Sequence, residues 1–331
     1  MRFFQHAKYD FIRVQRWAWM ATAAFIIPGL IMLIVRGVNY SVEFTGGTLV
    51  QVKAEGRPDF GQIRAALDRE GLHGAELQEL GSQGSFFIRA RAAVAGTDAD
   101  NTSLTRAAVV RALDVVVPAK ADGQKGYIIE HSYAVGPKVG AELRTQAIYL
   151  VVLSFLVVLV YLAWRFEWRF GVAAVLATLH DIVATIGFIA LMRMEVSLVV
   201  VSAVLSMVGY SLNDTIIIFD RVRENLHKYK RSDLYAILNR SVNETLPRSI
   251  LTHGTTLATL LALTVFGGEV IRPFAQVMFF GVFTGTLSSI FIAPPVLLYI
   301  EKRWPGQDVK GARAVTTAAP VGATPTVGAT R

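Results

Sequence analysis

An amide and a carboxylate, Asn213 and Asp214, stand next to each other inside a long apolar stretch of the chain. A charged carboxylate at membrane depth costs about 3 kcal/mol on insertion scales, so such a residue is usually retained for a reason. With 3.6 residues per turn, Ser206, Tyr210, Asn213 and Asp214 fall along one side of a helix. This pattern predicts a carboxylate that carries a proton or another ion. A structural carboxylate that ties helices together is the alternative.

A histidine and an aspartate, His180 and Asp181, stand about ten residues into another apolar stretch, close to the middle of a span at 1.5 Å per residue. A buried His–Asp pair can satisfy itself by hydrogen bonding. Because histidine titrates near physiological pH, the pair would also fit a proton relay. The sequence leaves both interpretations open.

A basic residue, Arg248, follows Pro247 at the start of a further apolar stretch. Proline suits the first turn of a helix, so this span is predicted to begin here. The arginine side chain is long enough to approach Asp214, to keep that carboxylate charged while the two are paired, and to permit protonation when they separate. The same side chain could instead extend to the membrane surface.

Hydroxyl side chains line one side of the stretch that follows Arg248. They belong to Thr252, Thr255, Thr256 and Thr259. Hydroxyls at this spacing can bond the preceding carbonyls or line a wet path. We include Thr255 and Thr256 with Asn213, Asp214, Arg248, His180 and Asp181 in the predicted relay.

Small residues recur at intervals of four in the last apolar stretch, at Gly281, Gly285 and Ser289. A ridge of this kind allows two helices to approach closely. We interpret it as a packing surface.

Composition indicates which elements position these residues. The chain has 331 residues, 53% of them hydrophobic, and a mean hydropathy of +0.44, which is typical of polytopic membrane proteins. The net charge of +8 fits basic cytoplasmic loops better than a nucleic-acid partner. The absence of cysteine excludes disulfides and thiolate metal sites.

Six apolar stretches are each long enough to cross a hydrocarbon core of about 30 Å. They are residues 17–35, 147–164, 171–192, 196–219, 250–266 and about 274–300. The first is too long for the apolar part of a signal peptide, so we expect an uncleaved span. Basic residues concentrate in 2–16, 165–169, 221–248 and 302–313. The positive-inside rule therefore predicts cytoplasmic termini and places residues 39–140 outside.

Residues 39–140 have mixed charge and no apolar run that could span a membrane. Their pattern predicts a β-α-β-β-α-β order, which is that of a ferredoxin-like α+β domain. The predicted strands are 42–54, 75–80, 85–90 and 127–135, and the predicted helices are 58–70 and 103–116, the second capped by Ser103 or Thr102.

Two cytoplasmic segments complete the predicted organisation. Residues 226–248 resemble a basic amphipathic helix on the membrane surface. Residues 304–331 lack a pattern that could build a core, and we expect them to be disordered. The chain thus divides into 1–38 with the first span, the domain 39–140, the bundle 141–303 and the tail 304–331.

No catalytic motif is present. The Gly46-Gly47 pair lacks the lysine and the spacing of a phosphate loop, and neither HExxH nor GxSxG occurs. We therefore expect neither an enzyme nor a metal site.

Five segments resemble one family, the SecF subunits of the SecDF protein-export complex, and more distantly one half of an RND transporter. The segments are VEFTGGTLVQV (42–52), LHDI (179–182), GYSLNDTIIIFDRVREN (209–225), NRSVNETLPRSILTHGTTL (239–257) and FGGEVIRPFAQVMFFGVFTGTLSSIFIAPP (266–295). The family motif usually has Asp where this chain has Glu43, before Phe44, Gly46 and Gly47, so the charge is retained at this extracytoplasmic hinge.

The resemblance implies an accessory subunit of the Sec translocase in the bacterial inner membrane. Its implied partners are SecD, the SecYEG channel, YidC, the translocating preprotein and the lipid bilayer. Protons would be the coupling ion, with no other cofactor, and the family's intramembrane aspartate and arginine would be Asp214 and Arg248. Two alternatives stay open: a proton-driven RND exporter half for small molecules or lipids, and a passive assembly scaffold.

Overall fold

The computed structural model describes residues 9–55, 58–79, 84–90, 98–117, 124–230, 232–268 and 270–305. The helices in these ranges are α1 Phe11–Arg36, α2 Val42–Thr45, α3 Phe60–Arg69, α4 Asp98–Val116, α5 Pro137–Arg165, α6 Trp168–Leu191, α7 Leu198–Lys228, α8 Leu234–Phe266, α9 Arg272–Phe291 and α10 Ala293–Arg303. The strands are β1 Gly47–Ala54, β2 Glu76–Glu79, β3 Ser85–Ala90 and β4 Tyr127–Val135.

The chain divides into two compact units. The bundle unit comprises Met1–Gly37, Phe155–Met192 and Ala203–Arg331, and the sheet unit comprises Val38–Ser154 and Arg193–Ser202. Helices α5 and α7 each contribute residues to both units. The sequence predicts a disordered tail over residues 304–331. From residue 306 onward this segment lies outside the described part of the chain.

Six helical segments within the described ranges are long and apolar enough to cross a membrane. They correspond to the six predicted stretches, which confirms a polytopic α-helical membrane protein. Most of the helices extend past the apolar residues that predicted them. For example, α1 begins at Phe11 and α7 continues to Lys228.

The predicted surface helix over 226–248 is wrong as a separate element. Its first residues finish α7, and residues from Leu234 onward form one continuous helix, α8, with Pro247 in its interior. The apolar residues in the N-terminal half of α8, including Ile237 and Val242, are buried within the bundle unit. The free energy gained by burying these side chains therefore outweighs the cost of the one backbone hydrogen bond that Pro247 cannot donate.

The last span consists of two helices, because α9 ends at Phe291 and α10 begins at Ala293. Pro294 and Pro295 occupy the first turn of α10. Neither can donate a backbone hydrogen bond to the preceding turn, so the helix breaks at this point. Proline in the first turn of the new helix costs little.

The sheet unit contains a four-stranded antiparallel sheet in the order β2-β3-β1-β4. Together with α3 and α4, it confirms the predicted ferredoxin-like arrangement. Val50 lies opposite Ile88 in the β1–β3 register, and both are fully buried with Ile63, Phe86 and Leu113. Burying each such side chain contributes about 1.5–3 kcal/mol.

Two elements in this unit, β1 and α4, begin five residues away from their predicted starts, and the bounds of α3 and β2 differ by only one or two residues. Residues 42–45 form the short helix α2, and β1 begins only at Gly47. Gly46 and Gly47 have φ angles of 74° and 134°, which glycine adopts easily and which end α2 before the strand. Helix α4 begins at Asp98, so residues 102 and 103 lie inside it and do not cap it.

Candidate functional site

The carboxylate of Asp214 joins three helices of the bundle unit. The residue lies on α7 and is only 4% exposed. Its Oδ1 atom accepts a 2.7 Å hydrogen bond from the Ser249 hydroxyl on α8, and its Oδ2 atom accepts a 2.6 Å bond from the Ser289 hydroxyl on α9. The partners of this buried carboxylate are thus neutral hydroxyl groups.

The predicted pair between Asp214 and Arg248 is not formed. Arg248 is exposed, and among the described ion pairs none joins it to Asp214. Successive residues of an α-helix point about 100° apart, so the inward direction of Ser249 turns Arg248 outward. The sequence prediction missed Ser249, although a small hydroxyl residue beside an arginine at membrane depth was a usable signal.

A second buried carboxylate, Asp181 on α6, is fully buried. Its Oδ2 atom accepts a 2.5 Å hydrogen bond from the Ser211 hydroxyl, and its Oδ1 atom lies 3.0 Å from Nδ1 of His180. Ser211 precedes Asp214 on α7 by about one turn. The two carboxylate clusters are therefore neighbours along the same helix. Among the described residues, no group of three or more His, Cys, Asp or Glu comes together in a way that could hold a metal ion.

The small-residue ridge of α9 lies against α7. A Cβ atom on Gly281 would overlap with the Met207 side chain, and one on Gly285 would come within 2.9 Å of the Ser211 hydroxyl. Ser289, the third member, donates its hydrogen bond to Asp214. The ridge thus brings α9 close enough to α7 for that hydrogen bond to form.

Asn213 does not share the environment of Asp214. It is exposed, whereas its neighbour is buried. The predicted polar side of α7 is therefore split into an inner carboxylate and an outer face. Ser206, one of the residues grouped with Asp214 by spacing, also lies on the exposed face.

The outer polar face continues on α8. The Tyr210 hydroxyl on α7 lies 2.7 Å from Oγ1 of Thr256 and donates a 3.2 Å bond to the carbonyl of Thr252. Thr252, Thr255 and Thr259 are exposed, and their hydroxyls bond the carbonyls one turn earlier. We call the exposed or half-buried set Asn213, Tyr210, Arg248, Thr252, Thr255, Thr256 and Thr259 the outer polar face.

His253 on α8 lies next to Tyr210 of the outer polar face. Its side chain is only 4% exposed, and its ring is 5.3 Å from the ring of Tyr210. Within the described residues, its Nδ1 atom has no hydrogen-bond partner. None of the sequence predictions assigned a role to this histidine, yet it is a buried titratable group.

The Glu43 motif, residues 43–47, fixes the start of α7 within the sheet unit. The Glu43 carboxylate accepts a 2.6 Å hydrogen bond from the backbone N–H of Leu198, and the Ser197 hydroxyl accepts a 3.3 Å bond from the N–H of Val200. Phe44 is buried. A Cβ atom on Gly140 of α5 would come within 2.9 Å of the Gly46 nitrogen. The motif thus contacts the first residues of both α7 and α5.

Comparisons with known proteins identify close relatives. Residues 118–303 match the family model described as "Protein export membrane protein SecD/SecF, C-terminal", and residues 31–56 match the "SecD/SecF GG Motif" model. The chain is 52% identical over 320 residues to the protein translocase subunit SecF of Gemmatimonas aurantiaca, covering 95% of this chain and 94% of that relative. It is 34% identical over 290 residues to SecF of Escherichia coli O157:H7, covering 88% and 87%.

Two solved structures are similar over most of the chain. A crystal structure of SecDF from Thermus thermophilus, titled a translocon-associated membrane protein, matches with a TM-score of 0.78 at 31% identity. A crystal structure of SecDF in the super-membrane-facing form matches with a TM-score of 0.64 at 30% identity. The chain is covered to 92% and 96%, but it spans only 40% and 41% of those longer chains.

Proposed function

The chain belongs to the SecF family of protein translocase subunits, and from this membership we propose that it pairs with SecD and couples proton movement to a late stage of protein export. The solved SecDF chains are more than twice as long as the matched segment. The part that this chain does not cover is the natural place for SecD. The function is that of a transport subunit with protons as coupling ion and no catalysed reaction.

The outer polar face supports the pairing with SecD. Lipid tails cannot satisfy the amide of Asn213 or the guanidinium of Arg248, and each unsatisfied polar group in hydrocarbon costs several kcal/mol. A second half that supplies complementary polar groups would remove this cost. Arg248 would then meet groups of SecD at the centre of a twelve-helix assembly.

The single observation that carries proton coupling is the contact of buried Asp214 with two hydroxyls. A hydroxyl can donate to an ionised carboxylate and can also accept from a protonated one. Ser249 and Ser289 therefore satisfy Asp214 in both protonation states, which a fixed arginine partner would not. A site that is satisfied in both states can bind and release a proton without leaving the buried carboxyl group unpaired.

The energy available is sufficient for mechanical work. A membrane potential supplies about 2.3 kcal/mol per charge per 100 mV. We place residues 39–140 on the outer side and both termini in the cytoplasm of the bacterial inner membrane, following the positive-inside rule. The sheet unit would then face the emerging preprotein, with SecYEG and YidC as neighbours in the membrane.

The test is the substitution Asp214→Asn in the complex with SecD, reconstituted with the Sec channel in inverted vesicles. Asparagine keeps the shape and can accept hydrogen bonds, but it cannot release a proton. We expect normal co-purification with SecD and loss of the export stimulation that the proton gradient provides. The matched control is Asp220→Asn on the same helix, where Arg165 pairs with the carboxylate at a half-exposed position.

Each outcome has a distinct meaning. Wild-type export by Asp214→Asn would overturn proton coupling at this residue and would favour a passive scaffold. Loss of co-purification would show that Asp214 is needed for assembly, and the coupling proposal would fail in that form. Equal defects in Asp214→Asn and Asp220→Asn would also contradict a specific role for Asp214.

A further inference from the structure

A groove with a cavity of about 750 Å³ lies between α1, α6 and α10 of the bundle unit. Its walls are apolar, with Met20, Leu176 and Val296 among the lining side chains. Its mouth carries two cations, Arg16 and Lys302. The groove is separate from the Asp214 site and from the outer polar face, which are formed by other residues.

The break between α9 and α10 shapes one end of this groove. Pro295 has no N–H, so it cannot donate to the carbonyl of Phe291 one turn earlier. The indole N–H of Trp19 donates a 3.3 Å hydrogen bond to that carbonyl instead. This contact holds α1 against the last span and fixes Trp19 as a wall of the groove.

Aromatic and basic residues at the mouth identify its depth in the membrane. Tyr299 is 73% exposed and Trp19 is 47% exposed, and both line the groove beside Arg16 and Lys302. Tryptophan and tyrosine concentrate at membrane–water interfaces, where their polar ends reach the headgroups. Arg16 begins the first span and Lys302 ends the sixth, so both lie at the same membrane surface.

The two cations at the mouth have no carboxylate partner among the residues that line the groove. None of the residues that line the groove is acidic, and no ion pair within the described chain involves Arg16 or Lys302. By contrast, Arg169 on α6, at the same end of the bundle, is paired with Glu301 at 2.8 Å. Arg16 and Lys302 are thus available for an external anion.

We propose that this groove binds one anionic phospholipid, with its phosphate between Arg16 and Lys302 and an acyl chain along the apolar wall. An amphiphile with a negative head matches a groove that is basic at its mouth and apolar inside. A polypeptide helix of SecD fits less well, because the unsatisfied polar groups that such a helix would cover lie on α7 and α8. The bound lipid would brace α1 against α10 beside the helix break.

The experiment compares two double variants of the full chain purified with SecD in a mild detergent. Arg16→Gln with Lys302→Gln removes both cations from the mouth. Arg13→Gln with Arg303→Gln is the matched control, since it removes the same charge from the same two helices at exposed positions that do not line the groove. Phosphatidylglycerol and phosphatidylcholine of equal chain length are added, and retained lipid is counted by native mass spectrometry.

We expect wild type and the control variant to retain phosphatidylglycerol at least fivefold better than phosphatidylcholine, and the groove variant to lose this preference. If both double variants lose the preference for phosphatidylglycerol equally, net charge alone explains it and the proposed site is overturned. Equal retention of the two lipids by wild type would also overturn it. Crosslinking of Met20→Cys to SecD in place of lipid would identify the groove as a protein contact.

Discussion

The carboxylate of Glu43 accepts a 2.6 Å hydrogen bond from the backbone N–H of Leu198, 155 residues further along the chain. Leu198 is the first residue of α7, the helix that carries Asp214. The first N–H groups of a helix have no partner within it, and a carboxylate there also interacts favourably with the helix dipole. A residue of the GG motif therefore caps the helix on which the proposed coupling depends.

Substitution of Glu43 tests this cap. Glu43→Ala removes the acceptor and should lower the stability of the purified complex by about 1 kcal/mol, as for other N-terminal caps. Glu43→Gln keeps an acceptor oxygen without the charge and should lower the stability by less than Glu43→Ala does. Thermal unfolding of both variants measures the effect. Glu142→Ala, which removes an exposed carboxylate from α5 in the same unit, is the control and should leave the transition unchanged. An unaffected Glu43→Ala transition would contradict the cap.

Close packing between α9 and α7 gives a second prediction. In Gly285→Ala the added methyl group would come within 2.9 Å of the Ser211 side chain, and α9 would have to move away. Overpacking of this kind typically costs about 1–3 kcal/mol. We expect a lower unfolding temperature and weaker proton-driven export, because Ser289 would move away from Asp214. Gly254→Ala on α8 meets open space and should behave as wild type. Similar behaviour of the two variants would argue against the tight contact.

The stability of the sheet unit should depend on pH through the carboxyl group of Asp114. Hydrogen bonds from Lys125 at 2.9 Å and from Tyr127 at 2.7 Å lower the pKa of its carboxyl group. A lowered folded-state pKa contributes stability above the unfolded value of about 3.9. This contribution is lost as the pH falls through the folded value. Hydrogen exchange of the β4 amides at pH 7 and in the acid range measures it. Asp114→Asn should weaken the pH dependence of the stability that this exchange reports. If the acid dependence is unchanged in this variant, Asp114 is not its source.

Membrane orientation is tested with single cysteines, since the chain has none of its own. Val115→Cys lies on α4 at a position that is 74% exposed, and we expect it to react with an impermeant thiol reagent added to spheroplasts. Lys230→Cys lies between α7 and α8 at an exposed position and should react only after permeabilisation. Labelling of Lys230→Cys from outside would reverse the proposed orientation.

Local sequence patterns were enough to predict the six spans and the order of strands and helices around the sheet. The apolar stretches predicted the six spans, and strand-like segments predicted β3 at Ser85–Ala90 and β4 at Tyr127–Val135 with the bounds that the structure has. Each pattern arises from one segment that must bury one face or cross one membrane, so the information is contained within the segment itself. The presence of Asp181 and Asp214 inside spans was evident for the same reason.

The partners of those carboxylates were decided only by tertiary packing. Asp214 contacts Ser249 and Ser289 because three helices meet at this point, and the rotation of α8 about its axis directs Ser249 inward and Arg248 outward. Neither the side of α8 that faces α7 nor the contact between Glu43 and Leu198 has a periodic signal in the sequence. Such contacts join residues far apart in the chain, and they follow from the summed packing of many side chains that no single segment encodes.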